Sequence, residues 1–264
     1  MRRVLITGCS TGIGRETATL LTSLGYEVVA TARDVNAIED LDVAHKAQLD
    51  VTDSEQVRDV VRAAEPLDVL VNNAGYSVWA PIETVPLADA QRLVDTNVFG
   101  AVRMIQAVLP GMRARGRGTV VNVSSTAGRT GGAPLIGWYA MSKHALEVVT
   151  ESLRLEIGHL GVDVILIEPG AVASAFPQNR VVAGVDVEPY ATMASHFFDR
   201  IAASRTEPFP ASGVADVIAS ALATPQPRLR WLAGPDAAAL VERRSGMTDD
   251  EIERQVRAQF GLDC

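Results

Sequence analysis

With 264 residues, nearly half of them hydrophobic, the chain can bury one substantial core and sits at the upper end of a single domain. Its net charge of −8, from 24 Lys plus Arg against 32 Asp plus Glu, comes with no long basic run, which argues against nucleic acid as a partner. Apolar runs fall short of the roughly 18 residues that a membrane span requires, and two cysteines at opposite ends, Cys9 and Cys264, argue against a disulfide framework and for a reducing, cytoplasmic setting.

Taken in chain order, the opening "MRRVLITG" has an apolar core of only Val4, Leu5 and Ile6, too short for a signal segment, and reads as a first strand over 2–8. Further short apolar runs follow at 26–32, 46–51, 67–75, 118–125, 162–170 and 228–234, each resembling a strand buried on both faces. Helical patterns lie between them at 14–25, 54–64, a long 87–116, and 138–161. This alternation predicts an α/β fold: one Rossmann-like, doubly wound parallel sheet of about seven strands, with helices on both faces and right-handed crossovers. No repeat or low-complexity segment divides the chain, so 1–264 reads as one domain. The unpatterned stretch 171–210, with Phe176, Met193, Phe197 and Phe198, reads as a substrate lid, the alternative being an irregular cap with no role in binding.

Two places carry chemistry. After the first strand, "TGCSTGIG" sets Gly8, Gly12 and Gly14 at the entry to a helix, where glycine lets the backbone approach a diphosphate and the free helix N–H groups bind it. Downstream, Tyr139 and Lys143 stand four residues apart on one helical face. A free phenol is a poor base at neutral pH, and a neighbouring ammonium favours its ionised form, as a cationic oxidised nicotinamide would. Tyr139 can then pass a proton to or from an oxygen while hydride moves elsewhere. Ser125 ends the fifth strand at the carboxyl edge, placed to hydrogen-bond a substrate oxygen, with Ser124 as its rival.

"TGCSTGIG", "LDVTD" (49–53), "NNAG" (72–75), "TNVFG" (96–100), "NVSS" (122–125), "YAMSK" (139–143) and "EPG" (168–170), in this order and at these separations, resemble the short-chain dehydrogenase/reductase family, in the branch holding hydroxysteroid and retinol dehydrogenases. The resemblance implies a catalytic set of Asn97, Ser125, Tyr139 and Lys143, with Asn97 and Gly100 distorting the long helix and holding a water near Lys143. It implies a cofactor site of Gly8, Ser10, Thr11, Gly12, Ile13 and Gly14 at the glycine turn and Asp50 and Val51 beside the adenine. Asn73, Ala74 and Gly75 would line the cleft, or serve the sheet alone, and Tyr139 and Lys143 would also touch the cofactor. In "EPGAVAS", Pro169, Gly170, Val172 and Ser174 would meet the nicotinamide, with Ser174 where the family has threonine. A homodimer or homotetramer through the two long helices follows by the same resemblance, as does a secondary alcohol or ketone on an apolar, steroid- or retinoid-like body. Trp79, Leu135, Ile136, Trp138 and Phe176 are candidates for its walls or for the core.

Cofactor choice is read from charge. Where an NAD-binding protein ends its second strand with a carboxylate for the ribose hydroxyls, "VVATARD" has Ala32 followed by Arg33, which can pair with a 2′-phosphate. NADP(H) is favoured and NAD(H) possible, with Asp34 as the rival ribose ligand; Thr11 supplies no second cation. Cys9 reads as a small turn residue, and the four histidines show no metal-ligand spacing, so no metal is expected. An NAD-dependent alcohol dehydrogenase of the same family, a redox-silent dinucleotide sensor and a methyltransferase are the alternatives, although the last has no use for Tyr139 and Lys143.

Overall fold

The apolar runs become strands of one sheet covered by helices, except that the run expected over 46–51 pairs through residues 45–48 as a largely exposed edge strand, with its apolar Leu49 and Val51 buried beyond the strand's end. The computed structural model describes residues 1–131, 133–173, 180–203 and 208–262. The sheet strands are β1 (Arg3–Ile6), β2 (Glu27–Ala32), β3 (His45–Gln48), β4 (Val69–Asn72), β6 (Gly118–Val123), β7 (Val162–Pro169) and β11 (Arg230–Ala233). They lie in the order β3-β2-β1-β4-β6-β7-β11, all pairs parallel. Strand order reverses between β1 and β4, the switch point where such sheets hold ligands at their carboxyl ends. Two small ribbons stand apart, β5 (Ser77–Trp79) with β9 (Arg180–Val182) and β8 (Val172–Ala173) with β10 (Phe209–Pro210).

Successive side chains point to opposite faces, so alternate residues of a strand feed two cores. Val4 and Ile6, Val69 and Val71, and Ile165 and Ile167 pack with α1 (Gly12–Ser23) and α8 (Ala211–Ala223) through Ala18, Leu21, Val214 and Ile218. Leu5, Leu70, Val120 and Val164 meet α2 (Ser54–Ala64), α4 (Ala101–Arg115) and α6 (Gly137–Ile157) through Val57, Val61, Met104, Leu153 and Ile157. A polar ladder crosses this second layer: Asn72 donates to Asn122 Oδ1 (2.9 Å), and Asn122 donates to Thr150 Oγ1 (2.9 Å) on α6.

The single long helix expected over 87–116 is broken. It forms α3 (Leu87–Val94), a π-helical turn over Asp95–Gly100, and α4. The region beyond 175 also holds more regular structure than its sequence suggested: α7 (Ala191–Ala203) within the lid stretch, then α8, α9 (Pro235–Arg244) and α10 (Asp249–Phe260). α5 (Ala127–Thr130) is a single turn after β6. Phe197 of α7 stacks on Phe260 of α10 (5.0 Å) and meets Trp79 edge-on (5.5 Å), an apolar block that also takes in Leu135, Ile136 and Met193. Leu135 and Ile136 directly precede α6, so the block abuts the loop that leads to Tyr139.

Candidate active site and dinucleotide cleft

The cleft begins where β1 and β4 end side by side. Thr7 Oγ1 accepts from the backbone N–H groups of Asn73 and Ala74 (both 3.0 Å), and Asn73 Nδ2 donates to the carbonyls of Thr7 (2.9 Å) and Gly8 (3.0 Å). "NNAG" thus fastens the glycine turn, a role its sequence left open, and Thr7 is a member that sequence reasoning missed despite its place beside Gly8. Gly8 is required twice over: its φ is +75°, and a Cβ there would lie 2.9 Å from Ala74 Cα. At Gly14 a Cβ would come within 2.4 Å of the Gly8 carbonyl oxygen, so the helix start sits directly on the turn.

The residues at this turn fit a dinucleotide diphosphate. Thr11, the N-cap of α1, makes no side-chain cap, and the first turn has no acidic residue, so the helix N–H groups and the positive end of the dipole stay available to an anion. Cys9 is fully buried, its thiol pushed up to about 12 by burial, which suits a packed turn residue and not a reactive thiol. Ser10 and Ile13 flank the same turn, Ile13 packing against the core.

Ala32 is the last residue of β2 and buried, and Arg33 is the first residue beyond it, exposed and without an ion-pair partner among the described residues. Asp34 is already engaged: its Oδ1 accepts from the Asn36 backbone N–H and side-chain amide (both 3.0 Å), capping a short 3-10 turn. Asp50 accepts from the Thr52 N–H (2.9 Å) and hydroxyl (2.7 Å), while Val51 packs where a Cβ on Gly100 would stand (2.6 Å).

Across the switch point the proposed catalytic side chains converge. Tyr139, part-buried at the start of α6, shares a hydrogen bond with the Ser125 hydroxyl. Ser125 lies in the loop leaving β6, where its Oγ also accepts from the Ala127 N–H (3.2 Å). Ser124 is the more buried of the two serines, and its Oγ has no partner among the described residues. Lys143, 6% exposed, donates to the Val123 carbonyl (2.9 Å), and its Nζ is 5.9 Å from the Tyr139 ring centroid.

Asn97, inside the π-helical turn, donates to the Tyr76 carbonyl (2.9 Å) and Ser142 Oγ (3.0 Å) and accepts from the Tyr76 N–H (3.1 Å). A Cβ on Gly75 would lie 2.9 Å from Asn97 Oδ1 and 3.8 Å from Lys143 Nζ, so Gly75 separates the two. Pro169 ends β7, and its carbonyl accepts from the Thr126 N–H (2.9 Å). The next turn, Gly170–Ala171, is held by Asp236 at the start of α9, whose Oδ2 accepts from the Ala171 N–H (2.7 Å); Val172 follows in β8. Ser174 and Phe176 lie outside the described residues.

The electrostatics correct one sequence expectation. Burial pushes the Tyr139 phenol up to about 12, with the Ser125 hydrogen bond pulling the other way, and brings Lys143 down to about 8. The protein alone therefore does not deliver the lowered phenol that the four-residue spacing suggested, because both groups are desolvated together. Behind them sits a charge network built on the buried carboxylates Glu147 and Glu168. Glu168 (0% exposed) pairs with Arg129 of α5 (3.3 Å) and with Arg230 of β11 (2.9 Å), and Arg230 also pairs with Glu147 (3.2 Å) and Glu151 of α6.

Fold and cleft together define a class: a doubly wound α/β protein of the Rossmann type, with a dinucleotide-shaped glycine turn on one side of the switch point and a Ser–Tyr–Lys cluster on the other. Residues 2–182 match the short chain dehydrogenase family, and the chain belongs to the short-chain dehydrogenase/reductase family. Over 202 residues it is 41% identical to retinol dehydrogenase 8 of Homo sapiens, a match covering 72% of this chain and 64%, less than two thirds, of that protein. A Streptomyces avermitilis short-chain dehydrogenase superposes with a TM-score of 0.84 at 30% identity over the full length of both chains. Two further structures hold cofactors: a Burkholderia phymatum short chain dehydrogenase/reductase in complex with NAD (TM-score 0.78, 26% identity, 96% of this chain and 95% of that one), and a serine dehydrogenase complexed with NADP+ (0.74, 25%, 88% and 93%).

Proposed function

We propose that the protein is an NADP(H)-preferring oxidoreductase that interconverts a secondary alcohol and a ketone on an apolar substrate. One observation carries the reading: the Tyr139 phenol and the Ser125 hydroxyl are hydrogen-bonded to each other beside a buried Lys143, at the carboxyl ends of the central strands. Ser125 orients the substrate oxygen, and Tyr139 gives it a proton in reduction or takes one in oxidation. Lys143 favours the ionised phenol and faces the nicotinamide ribose. Asn97, through the π-helical turn and its bonds to Tyr76 and Ser142, holds the wall opposite Lys143.

The bound cofactor supplies the hydride. Gly8, Ser10, Thr11, Gly12, Ile13 and Gly14 would hold its diphosphate, Asp50 and Val51 its adenine, and Asn73, Ala74 and Gly75 the floor of the cleft. Pro169, Gly170, Val172 and Ser174 would border the nicotinamide. Arg33 would pair with a 2′-phosphate, a reading supported by its exposure, with no ion-pair partner among the described residues, and by the engagement of Asp34 elsewhere.

For the substrate, support comes from the retinol dehydrogenase relative and from the apolar block of Trp79, Leu135, Ile136 and Phe197 beside the Tyr139 loop. The 171–210 stretch, with α7 on that block, serves as its lid within a single domain spanning 1–264. We place the protein in the cytoplasm as a homodimer or homotetramer; among the described residues no helix is long and apolar enough to cross a membrane. The test is a screen of ketones and alcohols of increasing apolar size with NADPH, NADH and their oxidised forms. Turnover that rises with apolar size and vanishes in Tyr139→Phe is the expected result. No turnover of any ketone or alcohol refutes the reading.

A further inference from the structure

We propose that Glu147 is a positioning residue for Lys143: a buried carboxylate one helical turn further along α6 that holds the lysine in its ammonium form, and is itself held by Arg230 reaching in from β11. The inference rests on the reading of Lys143 as part of the active site and adds a determinant that none of the sequence motifs contains. Glu147 is 3% exposed and Lys143 6% exposed, and their four-residue spacing puts them on one helical face. A buried carboxylate is costly unless it is paired. Glu147 answers that cost at one oxygen only. Its Oε2 lies 3.2–3.3 Å from the Arg230 guanidinium, whereas Oε1 is buried with no hydrogen-bond partner among the described residues.

The role of the half-paired carboxylate follows from its neighbours. Around the Lys143–Glu147 pair stand Tyr139, His144 and Glu151 on α6 itself, Arg129 on α5, Glu168 on β7 and Arg230 on β11. From β6 come the Val123 carbonyl, which accepts from Lys143, and the Asn122 amide, which donates to Thr150; the Asn97 amide of the π-helical turn donates to Ser142. Burial disfavours the charged lysine, and the charge of Glu147 is the influence opposing it. Arg230 is shared among Glu147, Glu151 and Glu168, and supplies Glu147 with an opposite charge from β11. Arg230 thereby links the last strand of the sheet to the helix that carries Tyr139 and Lys143.

The chain has two lysines, Lys46 and Lys143, so protein grown with ε-13C-lysine gives two signals, and Lys46→Arg assigns them. Lys143 can then be titrated directly in protein without cofactor. In the wild type its midpoint should fall near 8. In Glu147→Gln it should fall by about one pH unit or more, because an opposing charge has been removed from a desolvated ammonium. Glu147→Asp, which keeps the charge, should recover most of that fall. Glu151→Gln, which removes the exposed partner of the same guanidinium, should leave the midpoint in place. If the amide variant does not fold, Glu147→Met is the second neutral replacement and carries the same expectation. An unchanged or raised midpoint in the neutral variants, or an equal fall in Glu151→Gln, overturns the inference. A second readout is kcat/KM against pH, whose alkaline limb should move toward neutral in Glu147→Gln. The two failures are distinguishable: a wild type inactive on every ketone and alcohol, with the lysine titrating as described, defeats the oxidoreductase reading alone. An active enzyme whose Lys143 ignores Glu147 defeats only this inference.

Discussion

Tyr139 is the residue on which the proposed chemistry turns, and its environment sets a clear expectation. Tyr139→Phe removes the proton donor and its bond to Ser125 while leaving the ring in place, so kcat should drop about 10²–10⁴-fold with little change in NADPH affinity. Fluorescence titration and steady-state kinetics on one ketone check both halves. At the other end of the cleft, Arg33 should favour NADPH over NADH by about ten- to a hundredfold, the worth of a charge-assisted contact of about 1.5–3 kcal/mol. Thr11 in place of a second cation argues for the lower end. Ala32→Asp with Arg33→Ala should reverse the preference in kcat/KM. A wild type that already prefers NADH would contradict this placement and require Asp34 to leave its cap on Asn36. These side chains were legible in the sequence because each sits at a fixed offset from a strand end or along one helix. Asp236, Arg129, Glu147 and Arg230 were not, since their partners lie up to 83 residues away in the chain.

The element that most changed between reading and structure is the helix expected over 87–116. The Asn97 amide there is drawn to Tyr76 and Ser142, Val51 fills the space a side chain on Gly100 would need, and the backbone adopts a π turn. Such turns occur often at functional sites. α6 holds a second message. Met141, Val148 and Leu155 recur every seven residues and are 41, 48 and 84% exposed, a stripe that nothing in a single chain covers among the described residues. We expect this stripe to be the contact between copies. Val148→Glu with Leu155→Glu should convert an oligomer to a monomer in light scattering at micromolar concentration; a wild-type monomer would contradict the proposal. α8 buries Val214, Ala215, Ile218, Ala221 and Leu222 at a helical period, a weak signal in sequence because the segment is rich in alanine and lies beyond the last motif.

At the scale of the whole molecule, the buried carboxylates tie stability to pH. Burial and Glu147 push Glu168 up to about 7, against the pull of Arg129 and Arg230. A carboxyl whose folded pKa is raised contributes stability that is fully present below its unfolded value, and that is lost as pH rises through the folded value. The Tm of Glu168→Gln relative to wild type should therefore climb in the variant's favour between pH 5 and pH 8. A constant difference would show that Glu168 stays ionised throughout. This coupling joins α5, α6 and β7, near neighbours in the chain, to β11, which follows only after α7 and α8. The sequence by itself determined the parallel sheet, its seven strands and the family, because apolar period, glycine turns and motif order act over a few residues at a time. Only the tertiary structure decided how the glycine turn is fastened by Thr7 and Asn73, and which distant charges surround Lys143. Those outcomes depend on what burial brings together, and desolvation acts on neighbours in space whatever their distance along the chain.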